Sequence, residues 1–96
     1  MTTPIAIEFP DYDVSTLPTI PVGFVDESWH NDACPCFVKG TLQLFIDYAD
    51  PAMRECGTDA PRYALLRTVD VEPVVLCQSN EWADILAAIT SFEAKQ

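Results

Sequence analysis

Positive charge is what this sequence has least of. Five Lys and Arg face fifteen Asp and Glu, the net charge is −10, and no basic residue precedes Lys39. Glu8, Asp11, Asp13, Asp26, Glu27 and Asp32 all do, so the amino-terminal third is uniformly negative. Binding a phosphate backbone needs a basic stripe, and none exists, so direct contact with nucleic acid is disfavoured. There are only three glycines; no Gly-rich phosphate loop, GxSxG elbow or internal repeat occurs. No apolar run approaches the ~20 residues of a membrane-spanning helix. The first residues, Met1 to Glu8, have neither a basic region nor a long apolar one, which predicts no secretory signal and a cytoplasmic protein with reduced thiols. Were the four cysteines to pair, three connectivities would be open.

Apolar residues make up 49% of the chain, which excludes wholesale disorder. Ninety-six residues suit one domain, 1–96, with one modest core burying roughly 60–65% of the unfolded surface. Three segments are expected within it: an extended arm over 1–21, a sheet over 22–78 and a helix over 79–93.

Pro4, Pro10, Pro18 and Pro21 argue against helix across the arm. Ile5, Ile7 and Phe9 alternate with Ala6 and Glu8, predicting a short strand closed by Pro10. Val22 to His30 is read as a strand, 31–35 as a turn, and Cys36-Phe37-Val38 as the start of the next strand, bent at Gly40. In 41–49, Leu42, Leu44, Ile46 and Tyr48 share one face, and Gln43, Phe45, Asp47 and Ala49 the other. Phe45 on the wetter face marks either a second core or a contact surface. Asp50-Pro51 is a helix opening, with Gly57 a stop. In 62–69, Tyr63, Leu65, Arg67 and Val69 alternate with the rest, which puts Arg62 and Arg67 on opposite faces. The unbroken apolar run Val74-Val75-Leu76-Cys77 predicts a buried strand.

The tail carries the clearest helix. Ser79 or Asn80 is the expected N-cap, with Glu81 and Asp84 near the positive end of the dipole. Trp82, Ile85, Leu86, Ile89 and Phe92 recur at helical spacing, a stripe to be packed on the sheet. The polar side lacks Lys and Arg until Lys95, so membrane binding is disfavoured. The fold class is α+β: an antiparallel sheet of about four strands with one carboxy-terminal helix on one face and an extended Pro-rich amino-terminal arm.

The chemistry-bearing residues gather in Trp29-His30-Asn31-Asp32-Ala33-Cys34-Pro35-Cys36, which holds the only histidine and two of the four cysteines. Extended, it would align His30, Asp32, Cys34 and Cys36 on one side. Imidazole and thiolates suit zinc, with Cys56 or Cys77 available to complete the shell, although Cys-x-Cys is tighter than the usual ligand spacing. The same residues permit a Cys34 nucleophile with His30 as base and Asp32 as its orienter, or a redox pair, for which one intervening residue is one too few. The plainest expectation is that Trp29 anchors the core and Asn31-Asp32 begins a turn.

With no catalytic signature assembled, the sequence favours a non-catalytic protein-binding or accessory module without a cofactor. Its binding surface would include Trp29, His30, Asp32 and Phe45, on an uncovered sheet face carrying aromatics and acids. Its partner would be a protein, a second copy included, since exposed strand edges invite pairing. The alternatives are a zinc protein using His30, Cys34 and Cys36, and an acidic phage-type inhibitor that imitates nucleic acid. The second of these requires the carboxylates to form one continuous ridge.

Overall fold

A computed structural model describes residues 4–95. Five strands form one antiparallel sheet in sequence order: β1 (Val25–Asp26), β2 (Cys36–Lys39), β3 (Leu42–Ile46), β4 (Tyr63–Val69) and β5 (Glu72–Ser79). Helix α1 (Pro4–Glu8) precedes them and helix α2 (Trp82–Ala94) follows. Single 3-10 turns lie at Val14–Thr16 and Pro51–Met53. The α+β class and the terminal helix agree with the sequence; the sheet has one strand more than expected.

The core lies on one face of the sheet. Alternation puts Leu42, Leu44 and Ile46 of β3 inward, and the register sets Phe37 of β2 and Leu65 of β4 on either side of Leu44. Helix α2 adds Ile85 and Ile89, α1 adds Ile5, and the segment after it adds Phe9 and Tyr12. Both helices therefore cover the same face. Burying a residue such as Leu44, with no exposed surface, contributes ~1.5–3 kcal/mol.

The stretch expected to be a strand through Ile5, Ile7 and Phe9 is instead α1. Pro4 occupies a first-turn position, where its missing N–H costs nothing and its fixed φ favours a helix. The Phe9 amide donates to the Ile5 carbonyl at 2.8 Å. Five residues are too few to be helical alone; Ile5 and Phe9 hold the turn by packing into the core. The arm is thus helical at its start and is not extended throughout 1–21; residues 1–3 lie outside the described residues. Arg62 pins its later part. The guanidinium donates to the Tyr12 hydroxyl (3.3 Å), the Thr16 carbonyl (3.1 Å) and the Thr16 hydroxyl (3.0 Å).

Three further expectations change. The strand expected over 22–30 shrinks to Val25–Asp26. Asp26 turns its carboxylate to the Ser28 amide and hydroxyl at 3.1 and 2.7 Å, which ends the extended run. Val74, Val75 and Leu76 are exposed rather than buried, because β5 is the outer strand and α2 reaches mainly its far end, around Cys77. Neither Ser79 nor Asn80 is the N-cap of α2: Glu81 is, without a side-chain cap of its own. Ser79 braces the approach to the helix instead, accepting from the Glu81 amide at 2.9 Å and donating to Asp84 of the first turn at 2.6 Å. Asp50 behaves as expected, its carboxylate accepting from the Ala52 amide at 3.0 Å.

Candidate functional site

The Trp29–Cys36 stretch does not run extended, so its expected row of ligands is broken. The Asp32 amide donates to the Trp29 carbonyl at 2.9 Å, closing a turn over His30 and Asn31. Trp29 does not anchor the core. It is 51% exposed, and its ring stacks on His30 with centroids 4.5 Å apart. His30 Nδ1 lies 3.0 Å from Glu8 Oε1, tying the loop to α1 and holding the Glu8 carboxyl below its ordinary range.

Cys34 and Cys36 lie elsewhere, both buried. Burial, with the fields of Asp47 and Asp32 behind it, pushes the Cys34 thiol far up. Burial likewise pushes Cys36 up to about 12, with Asp32 and Glu27 adding to the shift. Thiols raised in this way are poor nucleophiles at neutral pH. His30 Nδ1 pairs with Glu8, and among the described residues no hydrogen bond joins the imidazole to Cys34. Among the described residues no group of three or more His, Cys, Asp and Glu is placed to hold a metal ion. The structure brings Trp29 and His30 together, leaves Asp32 at the edge of the buried thiols, and places Phe45 beside Cys36 in the sheet.

Phe45 leads to the most extensive feature of the surface. It belongs to the sheet face opposite the core, where neither helix lies. Following the register, Val25, Val38, Gln43, Leu66 and Val75 form one continuous row across all five strands. Phe45 and Ala64 stand beside its centre. At the row's ends Val25 and Val75 are 60% and 51% exposed; Val38, Phe45 and Leu66 are half-buried and outside the core cluster. The face was expected to carry aromatics and acids. It is instead mainly aliphatic. Asp47, which alternation assigns to it, is buried, its carboxylate accepting from the Tyr48 amide at 2.8 Å. Exposed acids border it at Glu27, opposite Cys36, and at Asp70 in the β4–β5 turn. No Lys or Arg side chain is free on it: Arg62 is spent on the arm, and Lys39 pairs with Glu93 of α2.

Both sheet edges are unsuited to strand addition. β1 has only two residues. On β5, Pro73 sits opposite Thr68, whose amide points toward β3 and donates to the Thr41 carbonyl. Pro73 nitrogen therefore faces outward, where it offers no donor. Leu76 is an unpaired bulge residue between the Leu66–Val75 and Leu65–Cys77 pairs. Short length, proline and a bulge are the usual devices that keep edges from pairing.

Sequence alternation put Phe45 on the wetter face and set Leu66 on the face opposite Leu65 without deciding which of those faces is outward. It did not mark Val25 or Val75, because the first lies in an irregular strand and the second in an unbroken apolar run. Among the described residues no helix is long and apolar enough to cross a membrane. No protein-family model, curated protein or solved structure matches the chain.

Proposed function

We propose that the chain is a non-catalytic protein-binding module whose contact surface is the sheet face away from both helices. The observation that carries this reading is the five-strand row Val25–Val38–Gln43–Leu66–Val75. An open apolar patch bordered by charge is the usual mark of a protein contact. Edge pairing is blocked by Pro73 and the Leu76 bulge, so the partner lies across the face and packs against side chains. Its chemistry follows from charge. The border is acidic, the molecule carries −10, and a second copy laid on this face would bring Glu27 and Asp70 against their like. The face therefore suits an apolar surface ringed by Lys and Arg on a different protein.

The test uses Val38→Glu and Leu66→Glu, with Val71→Glu at the β4–β5 tip as control, since Val71 is 91% exposed and apart from the row. A partner captured from lysate by the parent chain is expected to be lost with both face variants, retained with the tip variant, and weakened by raised salt. Light scattering is expected to give a monomer. A dimer abolished by Leu66→Glu would overturn the proposal, as would capture that all three variants leave unchanged.

A further inference from the structure

On the opposite side of the molecule, the little positive charge that remains free is gathered in one place. Arg54 is occupied by the carbonyls of Tyr48, Ala49 and Ala60, and Arg62 by those of Asp47 and Thr16. Lys39 pairs with Glu93. That leaves Arg67 and Lys95, and both line a single groove of about 310 Å³ between β4, the β5 bulge and the last turns of α2. Leu76, Ala88 and Phe92 form its apolar walls, and Ser91 adds a hydroxyl. The Arg67 guanidinium lies over the Phe92 ring, 5.2 Å from its centroid. One face of the guanidinium is thereby held, while its edge N–H groups find no acceptor among the described residues. Among the described residues no carboxylate lines the groove.

We infer that this groove binds a carboxylate carrying a short apolar chain. A guanidinium fixed on an aromatic ring presents parallel N–H donors that fit the two oxygens of a carboxylate. Lys95 adds a second, movable cation. Two cations are needed because the terminal carbonyls of α2 carry the negative end of the helix dipole and repel an anion. The apolar walls take the chain, and the volume is near the lower limit of small-molecule sites, enough for a branched or short linear aliphatic group. Placing Arg67 and Lys95 at the end of α2 also complements the helix dipole, and the test separates that structural role from binding.

The amide resonances of uniformly labelled protein are followed during titration with octanoate, N-acetyl-leucine, N-acetyl-leucinamide, acetate and octylammonium. The first two represent a free aliphatic acid and a chain terminus. Saturable shifts confined to Arg67, Leu76, Ala88, Ser91, Phe92 and Lys95 are expected with at least one of them. Acetate and the amide are expected to bind at least about tenfold more weakly, and octylammonium not at this groove. Arg67→Gln is expected to lower the affinity by about tenfold or more while lowering the melting temperature by only about a few degrees, and Arg67→Lys to lose less affinity. Shifts that fail to saturate, equal response to octanoate and octylammonium, or unchanged binding by Arg67→Gln would each overturn the inference. None of these outcomes bears on the opposite sheet face.

Discussion

Two buried or paired carboxyls pull the molecule's pH response in opposite directions. His30 holds the Glu8 carboxyl below its ordinary value, so the stability this pair contributes is present above about pH 4.5 and lost as pH falls through the lowered value. Glu8→Gln is accordingly expected to flatten the fall in melting temperature on acidification. Burial raises the Asp47 carboxyl, outweighing its hydrogen bond from the Tyr48 amide and the pull of Arg54 and Arg62. Its charge therefore costs stability at neutral pH, and that cost fades as pH falls through the raised value. Melting curves at pH 7 and pH 4 check this: Asp47→Asn should gain more, relative to the parent, at pH 7. The thiols are separable at the same scale. Cys56 is exposed, while Cys34 and Cys36 are buried and held protonated. Alkylation at neutral pH, read by mass, is expected to modify Cys56 at least about tenfold faster than either. Fast labelling of Cys34 would restore the nucleophile that the Cys-His proximity in the sequence suggested.

Helix α2 shows at the level of an element how far pattern carries. Its helical stripe was legible from Trp82 to Phe92, and Ile85 and Ile89 are indeed buried. Leu86 is on the same stripe yet 40% exposed, because the helix lies at the margin of the sheet, over β4 and β5. Ile85→Ala should therefore cost ~2–5 kcal/mol and Leu86→Gln less than about 0.5, measured by denaturant unfolding. Ser79→Ala should cost ~1 kcal/mol through its lost hydrogen bonds to the Glu81 amide and Asp84. The edge strand β5 could not be judged in this way. An unbroken Val-Val-Leu-Cys run reads as buried from sequence, but which strand is outermost is a matter of order in the sheet. Pro73 then becomes meaningful as an edge guard. Pro73→Thr supplies the missing outward donor, and light scattering is expected to show concentration-dependent association that the parent lacks.

Across the whole molecule, charge and apolar surface are segregated. The free cations lie at the far end of α2, and the open apolar row lies on the other side of the sheet. A net charge of −10 on a chain with a radius of gyration of 13.0 Å implies self-repulsion that salt relieves. The melting temperature is expected to rise between about 10 and 300 mM NaCl, a range over which the screening length falls severalfold.

Local signals sufficed for what local physics controls. The alternation in 41–49 and 62–69, the stripe of α2, the Asp50 cap and the scarcity of cations are each set by residues near one another in sequence, and they gave the α+β class. The tertiary structure alone decided the rest. It converted Ile5 to Phe9 from strand to helix, since a five-residue turn exists only where a core accepts its apolar side. It placed Trp29 outside and Cys34 inside, breaking the proposed ligand row. It aligned valines from three strands, together with Gln43 and Leu66, into one face and brought Arg67 to Lys95. Each of these depends on strand register and on which face the helices cover, quantities fixed by contacts between residues distant along the chain.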